Sequence, residues 1–174
     1  MSSIEAIKKA VRDVPDFPKP GILFKDITPV LGDPALFRAA VDIFVSRHAK
    51  AGIQKVACID ARGFLFGSAV AYALKAGLVP IRKKGKLPYQ TLSQAYALEY
   101  GTAEIAMHID AVKPGEKVLL IDDLLATGGT AQAAAMLLEK AGATVVEIDF
   151  LIELAFLKGR DKLAPRPIFA AVVY

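Results

Sequence analysis

Two adjacent aspartates, Asp122 and Asp123, follow an apolar run and precede a short turn, residues 126–130. Carboxylates accept hydrogen bonds from hydroxyl groups, whereas backbone N–H groups at the start of a helix attract anions. The turn consists of Ala126, Thr127, Gly128, Gly129 and Thr130. Glycine lets the backbone approach a ligand closely, and the threonine hydroxyls can donate to the same anion. This segment therefore predicts binding of a ribose 5-phosphate, with the diol on the acids and the phosphate on the turn.

The spacing around this turn excludes two familiar phosphate-binding motifs. Neither the Walker pattern with its lysine nor the dinucleotide pattern G-x-G-x-x-G is present in "VLLIDDLLATGGTA". Taken singly, each element also fits an ordinary strand-to-helix turn in which Asp123 caps the helix. The diacid, the TGGT run and a helix in this order favour the ligand-binding interpretation.

The elements that must position these residues alternate along the chain. Short apolar runs such as "KVACID" and "EKVLLID" are each followed by a helical pattern that ends near a glycine, Gly77 or Gly142. This alternation predicts an α/β fold, a Rossmann-like, mostly parallel twisted sheet with helices on both faces. Ligands bind beyond the carboxyl ends of the strands in such a sheet.

Two segments depart from this alternation. Residues 15–33 contain four prolines and two glycines, which predicts an irregular segment. Residues 83–104 form a long polar stretch between two strand candidates, as expected for a flexible lid or hairpin. We predict that residues 1–174 form a single domain that includes both segments.

Composition limits the function classes. Hydrophobic residues make up 54% of the 174 residues and the formal net charge is +4, which suits a small polyanion and argues against a nucleic-acid partner. We expect a cytoplasmic protein without a membrane partner, because no apolar run approaches about 20 residues. Cys58 is the only cysteine, so we expect a buried thiol. We predict His48 on a helix surface, His108 in a strand or hairpin, and neither as a metal ligand.

Five segments in order carry a resemblance to a known family. "FKDITPVL", "ARGFLFG", "RKKGKLP", "LEYG" and "VLLIDDLLATGGTA" are similar to the motifs of the type I phosphoribosyltransferases, and the alanine in the turn resembles the adenine-specific members. The resemblance implies transfer of a phosphoribosyl group from phosphoribosyl pyrophosphate to adenine, giving AMP and pyrophosphate. It also implies Mg²⁺ carried by the substrate without direct protein ligands, and a homodimer.

The resemblance also implies roles for residues outside the turn. Arg62 and Glu99 are the expected catalytic residues, with Glu99 in a mobile hood over residues 83–104. Pyrophosphate is expected to bind Arg62, Lys83, Lys86 and Tyr100. Adenine is expected near Leu23, Phe24, Lys25 and Leu154. Two alternatives stay open at this point: transfer to another base (xanthine, hypoxanthine, guanine or orotate), or a regulator that binds phosphoribosyl pyrophosphate without catalysis.

Overall fold

The computed structural model describes residues 2–97 and 101–174, which divide into two compact units, residues 1–43 and 44–174. The first unit begins with helix α1 (Ser3–Ala10), where Ser2 and Glu5 form a reciprocal capping box. Strands β1 (Arg12–Pro15) and β2 (Leu23–Asp26) pair antiparallel, and helix α2 (Thr28–Gly32) follows. Residues 15–33 therefore contain regular structure, contrary to the sequence expectation. Proline is accommodated there because Pro29 lies in the first turn of α2.

The second unit contains most of the regular elements. Helix α3 (Pro34–His48) crosses the division between the units. It is followed by β3 (Lys55–Ile59), α4 (Gly63–Leu74), β4 (Gly77–Lys83), β5 (Thr91–Ala97), β6 (Thr102–His108), β7 (Lys117–Leu125), α5 (Gly129–Lys140), β8 (Thr144–Glu153), a 3-10 turn (Ala155–Leu157), α6 (Gly159–Leu163) and β9 (Ile168–Val173).

Within the described residues of the second unit, seven strands form one sheet in the order β5-β6-β4-β3-β7-β8-β9. Strands β4, β3, β7, β8 and β9 run parallel, whereas β5 and β6 pair antiparallel as a hairpin at one edge. The mostly parallel sheet predicted from the sequence is confirmed, and so is the hairpin. The strands of the hairpin begin at Thr91 and end at His108, so the hairpin starts and ends later than the predicted lid segment, residues 83–104.

Helices cover both faces of this sheet. Ala57 and Ile59 of β3 belong to the core that α5 covers, whereas Cys58 faces Gly67 of α4. Because successive strand side chains point to opposite faces, α4 and α5 lie on opposite sides. A Cβ on Gly67 would come within 3.1 Å of the Cys58 sulfur, so the small residues allow α4 to pack closely. No helix among the described residues is long and apolar enough to cross a membrane.

The end of α4 differs from the sequence expectation. The helix stops at Leu74, and Lys75 adopts the left-handed conformation with φ 57°. Gly77 is the first residue of β4, so the prediction that it caps the helix is wrong. Lys75 takes that position, and its N–H donates to the Ala71 and Tyr72 carbonyls.

A buried ionic network joins α3 to β8. His48 is 4% exposed, and its Nε2 lies 2.7 Å from Oδ2 of the fully buried Asp149. Arg47 forms two hydrogen bonds with the carboxylate of Glu147, of 2.6 and 2.7 Å. The prediction that His48 lies on a helix surface is therefore wrong. The sequence around His48 gives no sign of its burial, because its acidic partner Asp149 is about a hundred residues away in the chain. His108 ends β6, as predicted.

Candidate active site

The two aspartates lie near the carboxyl end of β7, as predicted. Asp122 is half-buried, Asp123 is 4% exposed, and the N–H of Asp123 donates to Oδ1 of Asp122 over 2.8 Å. Burial raises the pKa of the Asp122 carboxyl well above its usual value, and the charge of Asp123 raises it further. Burial also raises the pKa of Asp123, although the Arg62 guanidinium opposes this shift. The two carboxyl groups thus lie side by side in a poorly solvated part of the protein.

The phosphate turn, residues 126–130, follows these acids and leads into α5. Gly128 precedes the helix with φ 78°, a conformation that favours glycine, and the chain then enters α5 at Gly129. Each helix start leaves backbone N–H groups without partners inside the helix, and the helix dipole is positive there. The turn is therefore suited to an anion even though it contains no lysine.

Arg62 and Gly63 reach the acid pair from the neighbouring strand. Strand β3 lies beside β7 in parallel register, so the residues after β3 meet the end of β7. Arg62 Nε lies 2.8 Å from Oδ2 of Asp123. Gly63 begins α4, and a Cβ there would come 2.9 Å from Oδ1 of Asp122. Glycine at this position is needed for the close approach of the two loops.

The basic segment, residues 82–86, divides into different roles. Arg82 pairs with Asp60 over 2.8 Å, and Lys84 pairs with Glu104 over 2.8 Å. Lys83 is exposed and lines the cleft beside the acid pair. Arg82 also donates to the Lys86 carbonyl over 3.0 Å, which holds the segment in a tight turn.

One cleft of about 290 Å³ brings most of the predicted donor-side residues together. It is lined by Ile59, Asp60, Ala61, Arg62, Lys83, Tyr96 and residues 122–131. Lys86 and Leu154 are not among the described residues that line this cleft. Leu154 follows β8, and its N–H donates to the Leu125 carbonyl over 2.9 Å, one residue from the phosphate turn.

Tyr96 lines the cleft although the sequence interpretation did not include it. A Cβ on Gly129 would lie 3.6 Å from the Tyr96 ring and 3.6 Å from the Ala97 carbonyl oxygen, so β5 packs beside the phosphate turn. A single aromatic residue on a polar hairpin gave no signal in the sequence. Strand pairing supplies the missing information, because it places β5 against the start of α5.

The remaining predicted residues are not among the described residues that line this cleft. Leu23, Phe24 and Lys25 form most of β2 in the first unit. Glu99 and Tyr100 lie outside the residues that the structure describes. Within the first unit, the rings of Phe17 and Phe24 meet edge to face with centroids 5.1 Å apart. With Val14 and Asp26 they line an aromatic cavity of about 250 Å³.

Sequence comparison identifies the family. The family model described as "Phosphoribosyl transferase domain" matches residues 30–166, which include the acid pair, the phosphate turn and the basic segment. The chain belongs to this phosphoribosyltransferase family. An adenine phosphoribosyltransferase from Methylacidiphilum infernorum is 50% identical over 173 residues, 99% of this chain and 97% of the relative.

Solved phosphoribosyltransferases share the fold closely. The adenine phosphoribosyltransferase from Rhodothermus marinus is 53% identical with a TM-score of 0.95, over 99% of this chain and 98% of the solved one. The adenine phosphoribosyltransferase from Saccharomyces cerevisiae, complexed with an imino-altritol bisphosphate and adenine, is 39% identical with a TM-score of 0.93. That match covers 97% of this chain and 98% of the solved one.

Proposed function

We propose that this phosphoribosyltransferase transfers the 5-phosphoribosyl group of phosphoribosyl pyrophosphate to adenine, giving AMP and pyrophosphate. A bond forms between a ring nitrogen of adenine and C1 of the ribose, and the bond from C1 to the pyrophosphate oxygen breaks. Pyrophosphate leaves with the bonding electrons and adenine loses a proton. The observation that carries this proposal is the single cleft in which an acid pair, an anion-binding turn and cationic side chains meet.

The phosphate turn is the proposed site of the 5′-phosphate. Its backbone N–H groups lie at the start of a twelve-residue helix, α5, so the helix dipole favours the anion there. The hydroxyls of Thr127 and Thr130 add donors, and both residues line the cleft. This phosphate does not change during the reaction, so the turn contributes binding and orientation of the donor.

The acid pair is the proposed site of the ribose hydroxyls. Among the residues that the structure describes, no donor makes an aligned hydrogen bond to Oδ2 of Asp123, although this oxygen is buried. Arg62 Nε lies 2.8 Å from this oxygen, and a ribose hydroxyl is a further donor of suitable size. We assign Asp122 and Asp123 together to the 2′- and 3′-hydroxyls.

Arg62, Lys83 and Lys86 are the proposed pyrophosphate-binding residues. Negative charge develops on the leaving group as its bond to C1 breaks, and fixed cations lower the free energy of that state. Arg62 also stays beside the Asp123 carboxylate, 2.8 Å from it, which prevents two adjacent acids from repelling the donor. The pairing of Arg82 and Lys84 with carboxylates leaves Lys83 as the cation of that segment at the cleft wall.

Adenine is the proposed acceptor. Adenine in the complex of the solved S. cerevisiae relative supports this base. We propose that Leu23 and Lys25 read the base through their backbone groups and that Phe24 stacks on it, since aromatic rings bind flat purines well. The edge-to-face contact with Phe17 fixes the ring plane of Phe24. Leu154 would supply an apolar contact near the base.

Glu99 and Tyr100 complete the proposal. A carboxylate at Glu99 would handle the proton of the purine or stabilise positive charge on the ribose, and Tyr100 would contact the donor. A closed hood would exclude water, which otherwise competes with adenine for C1. We propose that residues 83–104 move as this hood, with Tyr96 as the part that lines the cleft.

Magnesium is the proposed cofactor. The residues of the cleft fit it, because Mg²⁺ prefers oxygen ligands and retains several waters, and Asp122 and Asp123 offer hard carboxylate oxygens near the cleft. When bound with the donor, the ion neutralises pyrophosphate charge. Asp122 and Asp123 would hold the ion through its waters, and the oxygens of the donor would supply the direct ligands.

A homodimer and a cytoplasmic location are further parts of the proposal. Helix α4 has no charged residue in twelve positions, yet Leu65 and Tyr72 on it are 44% and 88% exposed. Leu78, on the adjacent strand, is also exposed. Such an apolar surface suits a second copy of the chain.

A cytoplasmic location fits substrates that carry several phosphate charges and therefore do not cross membranes.

Dimerisation is tested by sedimentation. Tyr72→Glu is expected to convert a dimer to a monomer, whereas Tyr89→Glu, at another exposed tyrosine, should leave the dimer intact. A monomeric wild-type protein would contradict this proposal.

The single-domain organisation also stays a prediction. One calorimetric unfolding transition is expected for residues 1–174, and two separate transitions would contradict it.

The decisive activity test is AMP formation from adenine, phosphoribosyl pyrophosphate and Mg²⁺. Hypoxanthine, guanine, xanthine and orotate serve as competing bases, and EDTA serves as the metal control. We expect AMP as the dominant product and no turnover with EDTA. Preference for another base would overturn the acceptor assignment. Donor binding without turnover of any base would instead indicate the regulatory alternative.

A further inference from the structure

The backbone at Gly159 packs directly against the phosphate turn. Gly159 is buried at the start of α6, and a Cβ placed on it would overlap the Ala126 carbonyl oxygen. The same Cβ would lie 2.9 Å from a methyl carbon of Leu125. Any larger residue at position 159 must therefore displace the beginning of the phosphate turn or the end of β7.

The contact is reciprocal. A Cβ on Gly128 would overlap the Gly159 carbonyl oxygen and lie 3.2 Å from its carbonyl carbon. Gly128 also has φ 78°, so two independent restraints select glycine there. The two backbones thus meet with no side chain between them, on two different residues of the turn, Ala126 and Gly128.

The loop that carries Gly159 is anchored to the sheet. Arg160 donates from Nε to both carboxylate oxygens of Glu153, over 2.7 and 2.8 Å, and from Nη1 to the Ile168 carbonyl over 3.2 Å. Glu153 is 4% exposed at the end of β8, and Leu163 of α6 is fully buried. A charge-assisted, several-fold hydrogen-bonded arginine holds its segment firmly. The position of Gly159 is therefore set by β8 and β9, independently of any ligand.

We propose that Gly159 is a positioning residue for the donor's 5′-phosphate, acting through Ala126 and Gly128. This inference rests on the proposed phosphate-binding role of the turn. Gly159 is not one of the described residues that line the cleft. It therefore acts through the turn, without touching the ligand. The turn must present several N–H groups at once to one anion. A rigid backbone support keeps them aligned before the donor binds, which lowers the cost of ordering them.

The proposal predicts a specific kinetic pattern. The 5′-phosphate is bound equally in the ground state and the transition state, because it takes no part in bond changes. A displaced turn should therefore raise the KM for phosphoribosyl pyrophosphate while kcat changes little. General destabilisation of the fold would instead lower the active fraction and thus kcat.

The experiment compares Gly159→Ala with Gly32→Ala, because a Cβ on Gly32 meets no atom within 4 Å and its φ is not positive. Calorimetric titrations use ribose 5-phosphate and pyrophosphate separately, and circular dichroism checks folding. We expect Gly159→Ala to weaken ribose 5-phosphate binding by about tenfold or more, since small misplacements of binding groups have large effects. Pyrophosphate binding should stay within about twofold of wild type, and Gly32→Ala should match wild type in both.

A second variant covers the case in which Gly159→Ala does not fold. Arg160→Gln releases the anchor without adding volume to the turn, and Arg38→Gln, at an exposed position, is its control. We expect Arg160→Gln to weaken ribose 5-phosphate binding about threefold to tenfold, again with little change for pyrophosphate. Equal loss for both ligands would overturn the proposal, since it would indicate a structural role alone.

A third variant separates this proposal from the function of the turn. Thr130→Val removes a proposed phosphate donor and should weaken ribose 5-phosphate binding. If it does so while Gly159→Ala and Arg160→Gln bind ribose 5-phosphate within about twofold of wild type, the positioning role is wrong. If Thr130→Val itself leaves binding unchanged, the proposed contact of the Thr130 hydroxyl is wrong. If wild type binds ribose 5-phosphate no more tightly than ribose, the phosphate-binding role of the turn is wrong.

Discussion

Replacing Asp123 by asparagine separates binding from stability at the acid pair. The change keeps the side-chain shape and removes the charge of a carboxylate that is 4% exposed. Its Oδ2 lies 2.8 Å from Arg62 Nε and lacks an aligned hydrogen bond from the described residues. A ribose hydroxyl would donate to this carboxylate, so the variant exchanges a charged acceptor for a neutral amide.

The magnitude for binding follows from the acceptor's charge. A hydrogen bond to a charged group contributes about 1.5 to 3 kcal/mol, and every 1.4 kcal/mol is about a factor of ten in affinity. Complete loss of that contribution would weaken AMP binding by about 10-fold to 150-fold. The amide oxygen of asparagine retains part of the interaction, so we expect a result near the lower end.

The effect on stability has the opposite sign. Burial raises the pKa of Asp123 above the usual 3.8, so the folded protein keeps a proton that the unfolded chain releases. The free energy of unfolding that this proton contributes is present below the pKa of the unfolded chain. It is lost as pH rises through the higher pKa of the folded protein. At neutral pH the charged carboxylate therefore destabilises the fold. Asp123→Asn should raise the Tm at neutral pH and flatten the fall in stability above about pH 4.

Calorimetry tests both statements together. AMP, 2′-deoxy-AMP and 3′-deoxy-AMP are titrated into wild type and Asp123→Asn, with Asp110→Asn as a control at an exposed aspartate. One of the deoxy ligands should lose less affinity than AMP on mutation, which identifies the hydroxyl that Asp123 accepts. AMP affinity within about twofold of wild type would refute the carboxylate–hydroxyl contact. A lower Tm would refute the stability argument.

Three other changes follow from the same structure. His48→Leu leaves the Asp149 carboxyl buried without its hydrogen-bond partner and should lower the free energy of unfolding by about 3 kcal/mol, measured by urea titration; a loss below about 1 kcal/mol would contradict this. Gly63→Ala places a Cβ 2.9 Å from Asp122 Oδ1 and should lower kcat/KM for the donor about tenfold or more, in steady-state kinetics. Burial raises the pKa of Cys58 to about 12, so mass spectrometry should find no alkylation of the native protein near pH 8 and complete alkylation in denaturant.

The donor side of the site could be predicted from sequence because its signals are local. The acids and the phosphate turn are consecutive in the chain, and an apolar run before them fixes their place at a strand end. Arg62 could be added because the strand before it is recognisable and parallel strands end at the same edge. The resemblance to a known family added residues without a signal of their own, such as Leu23 and Lys25, and their role in base recognition stays a prediction.

Features that depend on distant pairs could not be predicted in this way. His48 looks like a surface residue within its helix, because Asp149 lies about a hundred positions away. Tyr96 enters the cleft through strand pairing, and Gly159 matters through backbone contacts with Gly128. Neither charge nor hydrophobic periodicity encodes such contacts. The short strand and helix within residues 15–33 were missed because proline and glycine dominate that segment.

The division of the chain near residue 43 has a consequence for the evolution of the proposed activity. The donor-side cleft is built wholly from residues 59–131, whereas three of the four residues proposed for base recognition precede residue 43. A genetic exchange of the first 43 residues between homologues would therefore replace most of the residues proposed for base recognition and keep all the residues that line the donor-side cleft. On the proposed assignments, new acceptor preferences would arise by recombination at one crossover point, without rebuilding the residues proposed to hold phosphoribosyl pyrophosphate.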